Sequence, residues 1–184
     1  MSRAAASRGT AMDVWTAVWT KRVIRKFEPR PLEQEHLDQI LQAGRRAGSS
    51  KNLQRWDFVV CRERDHLREL ARVGPWAGHI AGAAAGIALV TPNPGDADSP
   101  PSVMFDLGQA AENMMLVAWQ LGIGTVPATV HEHDLARRLL GYPDDRHCEY
   151  ILSFGYPADS AALTAPPKPG GRRPLADVVH WEKW

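Results

Sequence analysis

Cysteine is scarce in this chain. Cys61 and Cys148 are the two in 184 residues, and no C-x-x-C pair occurs. Two cysteines cannot build a disulfide framework, and each sits among strand-like residues, where a free thiol behaves as a small core hydrophobe. A structural role in a reducing compartment is the reading for both. Charge of one sign is lacking too. The net charge is +1, which argues against nucleic-acid binding through bulk charge and makes any anion site a local one. Long apolar runs are also missing: residues 80–90 form the longest, and it is too short to span a bilayer. The opening M-S-R-A-A-A-S-R-G-T has no apolar stretch of the kind a secretory signal needs. The expectation is an unexported, cytoplasmic protein with no membrane partner, in which residues 1–12 form a tail without fixed structure. Neither G-x-S-x-G, nor H-E-x-x-H, nor a P-loop pattern is present.

What is present is enough apolar material, 44% of residues, for one core. A single domain over 13–184 is therefore expected. Asp13 caps a short helix over 13–20, with Val14, Trp15, Val18 and Trp19 near one face. Pro31 opens a second helix over 31–47, marked by Leu32, Leu37, Ile40 and Leu41. A polar loop follows, then a strand over 57–62, a helix over 64–73 and an ambiguous Ala/Gly segment over 78–86. The run 86–91 reads as a buried strand. Residues 103–121 give the strongest helix signal, apolar almost all round, as for a helix buried centrally or between subunits. A glycine-punctuated turn and short extended segment come next, then a helix over 132–141 and a strand over 148–155. From Tyr156 to Pro174 the chain holds five prolines and an adjacent glycine pair. Residues 156–184 thus read as an arm laid over something else.

Several segments have chemistry to offer. Lys21, Arg22 and Arg25 near one end, and Arg172 and Arg173 near the other, suit a phosphate, which the planar guanidinium fork meets well. Each run taken alone also reads as solvated surface charge. The loop Gly48-Ser49-Ser50-Lys51-Asn52-Leu53-Gln54-Arg55-Trp56 offers hydroxyls and amides to a flat heteroaromatic ring, or caps its own backbone. Gly122-Ile123-Gly124 lacks the third glycine of a dinucleotide fingerprint, but its glycines are suited to bringing backbone close to a ligand plane. His131 and His133 flank Glu132, yet no Cys/His cluster lies nearby in sequence. They read as surface histidines, and no metal is expected. His147-Cys148 lacks a third group for a nucleophilic site.

In order and spacing these segments resemble the nitroreductase family of flavin enzymes over essentially the whole domain. The basic motif of that family corresponds to Lys21-Arg22-Val23-Ile24-Arg25-Lys26-Phe27, and its polar loop to Ala47 through Phe58. The D-x-G-x-A-x-x-N-M helix spans Asp106 to Met114 and the L-G-I-G-T turn follows it. Phe154-Gly155-Tyr156-Pro157 and Arg172-Arg173-Pro174-Leu175 complete the pattern. Departures are Val23 for serine, Lys21 for arginine, and Gly48 and Arg55 for two prolines. They imply weaker flavin retention. The short loop 92–102 implies an open pocket.

The resemblance implies an α+β fold with a mixed, mostly antiparallel sheet flanked by helices. It also implies an intertwined homodimer with an exchanged C-terminal arm and FMN at the interface. Lys21, Arg22 and Arg172 or Arg173 are then expected near the phosphate, with the motif backbone at Val23. Arg25 and the Ser49, Ser50, Asn52 and Gln54 loop are expected near ring and ribityl chain, and Pro127, Ala128 and Thr129 against a ring face. Arg25 becomes the electrostatic stabiliser of the reduced ring. No side chain is an evident proton donor. The implied activity is ping-pong transfer from NADH or NADPH to a small-molecule acceptor such as a nitroaromatic or quinone. Alternatives are a flavin-storage protein, a flavin-consuming or dehalogenating relative, and a dimer that has lost its cofactor.

Overall fold

The computed structural model describes residues 12–97, 99–166 and 170–184. Of the tail expected at 1–12, all but Met12 lies outside the described residues. The strands are β1 (Asp57–Cys61), β2 (Ala85–Pro92), β3 (Gly124–Thr129) and β4 (Arg146–Gly155), joined in the order β1-β2-β4-β3. Every pairing among them is antiparallel. The sheet is thus mostly antiparallel as anticipated, and its parallel component is one isolated bridge, Val23 to Thr125.

The central strand β2 explains why the sheet is covered on both faces. Its residues are buried nearly throughout, and they alternate sides as strand geometry demands. Ile87 and Leu89 enter one core with Ile40, Leu107, Ala110, Met114 and Phe154. Ala88 and Val90 enter a second with Leu67, Leu70, Ile80, Ala136 and Cys148. The first core is roofed by α2 (Gln34–Arg45) and α4 (Ser102–Gln120), the second by α3 (Arg64–Leu70) and α5 (His133–Leu140). Both cysteines are free and buried. Burial pushes the Cys61 thiol up to about 11 and the Cys148 thiol up to about 12, which fits the structural reading of each.

Helix ends follow local chemistry. The Asp13 carboxylate accepts the Thr16 N–H at 2.9 Å and caps α1 (Val14–Thr20). Gly141, at φ 70°, terminates α5 in the left-handed conformation a glycine tolerates. The ambiguous Ala/Gly segment forms a 3-10 turn over Ala77–Gly82. Burial ends at Pro157. A short α6 (Ala161–Thr164) follows, and every residue from Gly170 to Trp184 is exposed.

Candidate functional site

The basic segment lies along the edge strand β3 and past the end of β4. The Ile24 N–H donates to Thr125 O at 3.0 Å, and the Glu28 N–H donates to Tyr156 O at 2.8 Å. Two glycines make this possible. A Cβ on Gly124 would stand 2.5 Å from Ile24 Cβ, and one on Gly155 would stand 2.8 Å from the Phe27 ring. The role anticipated for the glycine turn is corrected here: Gly124 admits another stretch of the chain rather than a ligand plane. Gly122, at φ 73°, turns the chain at the end of α4.

In the extended segment alternate side chains point opposite ways. Ile24 points inward and is buried, whereas Val23 and Arg25 are exposed together. Lys21 and Arg22 are engaged within the chain, whereas Lys26 stays exposed. Lys21 Nζ pairs with Glu112 on α4 at 3.3 Å. The Arg22 guanidinium donates to Ala165 O at 2.5 Å and to Thr20 O at 3.3 Å, and lies 5.9 Å from the Trp119 ring centre. Arg25 also bears on His79. Burial first, and then the Arg25 charge, push His79 below its ordinary value. His79 Nδ1 is 2.8 Å from the hydroxyl of Ser153, a fully buried residue of β4.

The polar loop is strained. Lys51, Asn52 and Gln54 hold φ of 53°, 54° and 48° without being glycine. Such conformations cost on the order of 1 kcal/mol or more each and persist only where neighbours enforce them. Two hydrogen bonds do so. The Ser50 N–H donates to the buried Asp106 carboxylate on α4 at 2.9 Å, and the Gln54 N–H donates to Ser49 Oγ at 3.0 Å. The Gln54 amide NH2 in turn lies 3.2 Å from Asn52 Oδ1. The side chains of Ser50, Asn52 and Gln54 stay exposed. Helix α4 therefore mounts both parts: Asp106 holds the loop and Glu112 holds Lys21, about 9 Å apart along the helix axis.

The remaining anticipated residues divide. Pro127 and Thr129 present exposed side chains on β3, while Ala128 between them is buried in the second core. Proline suits this edge strand, where a missing N–H breaks no inner ladder. Arg172 and Arg173 are exposed, Arg172 donating to Gly171 O and Arg173 to Asp177 O. Among the described residues no hydrogen bond or ion pair links them to Lys21 or Arg22. Two open clefts lie elsewhere: one of about 650 Å³ between α2 and α4 holds none of these residues, and one of about 400 Å³ touches Gln54 alone among them. The motif residues face open surface instead. Sequence reading missed His79, whose signal is tertiary, and the Lys21–Glu112 and Ser50–Asp106 contacts, whose partners lie in the helix read only as apolar.

These features define a class: an α+β protein whose basic edge segment and strained polar loop share one central helix. The chain belongs to the nitroreductase family, whose profile matches residues 19–81 and 75–156. An Archaeoglobus fulgidus protein provisionally named an NADH dehydrogenase/NAD(P)H nitroreductase is 31% identical, over 91% of this chain and 96% of its own. The structure of a nitroreductase family protein from Clostridium difficile superposes with a TM-score of 0.80 at 23% identity, covering 94% of this chain and 100% of its own. That of the NADPH:FMN oxidoreductase from Vibrio harveyi, complexed with NAD+, gives 0.77 at 25% identity, over 91% and 76%.

Proposed function

We propose that this chain is an FMN-dependent NAD(P)H oxidoreductase that works as a homodimer, reducing nitroaromatics, quinones or similar small acceptors by a ping-pong cycle. The observation that carries the reading is the docked basic segment. Gly124 and Gly155 let it lie on the sheet edge and leave Arg25 as an exposed cation, in a chain of this family whose strained polar loop also leaves its amides exposed. The donor set fits FMN: guanidinium groups for a phosphate, amides and hydroxyls for a polar heterocycle edge, and apolar backbone-rich β3 for a ring face.

FMN, when bound, supplies the hydride chemistry that links NAD(P)H oxidation to acceptor reduction. The protein supplies placement and charge. Arg25 would place a positive charge against the ring and so favour negative charge there. Asn52 and Gln54 orient the ring through their amides, with Ser49 and Ser50 fixing the loop that carries them. Pro127 and Thr129 would offer a flat wall; the Ala128 side chain between them is buried in the core and would contribute backbone alone. Arg22 and the motif backbone at Val23 serve the phosphate, and Arg172 and Arg173 reach it from the partner's arm. Lys21, neutralised by Glu112, contributes position more than free charge. The domain runs over 13–184, with the arm from about 156, in the cytoplasm. Among the described residues no helix is long and apolar enough to cross a membrane.

Exposure supports the dimer. Trp15 is 69% exposed on α1, Phe105 72% on α4 and Trp181 85% on the arm. Large apolar side chains left in water on three elements are of the kind that association would cover. Purified protein reconstituted with FMN is expected to be yellow, to bleach on anaerobic addition of NADH or NADPH, and to regain colour with a nitroaromatic or quinone. A protein that stays colourless contradicts the reading; one that holds FMN but never bleaches is a flavin-storage protein instead.

A further inference from the structure

The far end of β4 gathers three groups that the flavin reading does not use. His133 opens α5, and His147 and Glu149 lie on β4. One ring nitrogen from each histidine and a Glu149 carboxylate oxygen all fall within 4.8 Å of one another. The two imidazole rings lie 4.6 Å apart at 35°. His147 Nε2 already meets Glu149 Oε2 at 2.8 Å, and both side chains are largely buried. His133 Nδ1 is buried with no hydrogen-bond partner, an uncommon state for a polar atom.

We infer that His133, His147 and Glu149 form a binding site for a borderline divalent cation such as Zn2+ or Co2+. Two imidazole nitrogens and one carboxylate are the donor set such ions prefer over Ca2+ or Mg2+, which take oxygen ligands. Ligands about 2.1 Å from a tetrahedral ion stand about 3.4 Å apart. The widest pair here closes to that by side-chain rotation, and the His147–Glu149 contact opens to it. Three protein ligands leave a fourth position for water. The neighbouring Cys148 does not join, because its thiol is buried in the core and held far above the range where a thiolate forms. The site lies toward the start of β4: His147 is eight residues before Gly155, about 26 Å along the strand from the docked basic segment, while Glu149 adjoins Tyr150, the strand partner of Thr129. A bound ion would tie the start of α5 to β4.

The test uses full-length protein stripped with a chelator and dialysed. Calorimetric titration with Zn2+ is expected to show one saturable site per chain, and Zn2+ is expected to raise the melting temperature. His133→Asn and His147→Asn should each weaken the binding by at least about tenfold, the loss that removing even an outer-shell partner brings, while His180→Gln leaves it unchanged. Co2+ should give visible bands of a tetrahedral N2O environment that vanish in Glu149→Gln, a substitution that preserves shape if a histidine variant folds poorly. Absence of saturable Zn2+ binding overturns the proposal. So does binding that survives undiminished in His133→Asn and Glu149→Gln.

Discussion

The two basic runs at opposite ends of the chain are built differently. The first, Lys21 to Arg25, is docked: Lys21 on Glu112, Arg22 on Ala165 O and Trp119, Ile24 on Thr125 O. The second, Arg172 and Arg173, belongs to a segment whose every residue is exposed, the large side chains Leu175, Val178, Val179, Trp181 and Trp184 included. The contrast separates what one chain positions alone from what the proposed dimer would leave to a second copy. One chain supplies a prepared edge on which Arg25 and Lys26 stay exposed. In the proposed dimer a second copy's arm would add cations and aromatic surface to the phosphate site.

Breaking the undocked side has the largest expected effect. Deleting residues 170–184 removes both arginines. Hydrogen bonds to charged groups are worth about 1.5–3 kcal/mol each, so FMN affinity should fall by about a hundredfold or more. Gel filtration of the truncated protein should show the dimer loosened and the colour lost. Breaking the docked side should act on rate instead. Arg25→Ala is expected to keep FMN but to slow anaerobic flavin reduction by NADH or NADPH by about tenfold to a hundredfold, below the loss seen for fully enclosed donors. Stopped-flow bleaching at saturating FMN measures it, and an unchanged rate removes Arg25 from its role.

Smaller effects sharpen the comparison. Gly124→Ala sets a Cβ against Ile24 and should cost about 1–3 kcal/mol in urea unfolding, as overpacking does. Because it lifts the basic segment off β3, FMN retention should fall with it. His79 gives a pH dependence. Its folded value lies below the ordinary 6.5, so the folded protein holds it neutral while the unfolded chain takes up a proton. This contribution is fully present above that ordinary value and is lost as pH falls through the lower folded one. Melting temperatures taken from neutral to mildly acidic pH should decline, and His79→Asn should flatten the decline.

Much of this fold was legible in the sequence because period and punctuation agreed. Asp13, Gly141 and the apolar run 86–91 each mark an element the structure contains. The basic motif and the polar loop were legible as residue types, and their order carried the family resemblance. Their partners were not. Nothing in the spacing says that Glu112 takes up the Lys21 charge or that Asp106 pins Ser50, since both lie on a helix whose pattern speaks of apolar burial. The strain at Lys51, Asn52 and Gln54 is likewise invisible, because none is a glycine. The glycine turn misled for a related reason: Gly124 signals close approach without saying of what. His133 read as a surface histidine and His147 as lacking a third group because fourteen positions separate them, and the return of β4 beside α5 brings them together.

Native mass spectrometry of the intact yellow protein asks most directly whether cofactor and partner come together. The account predicts a species of two 20.3 kDa chains carrying two FMN, with cofactor leaving as the chains separate. A monomer holding FMN at full occupancy would contradict it.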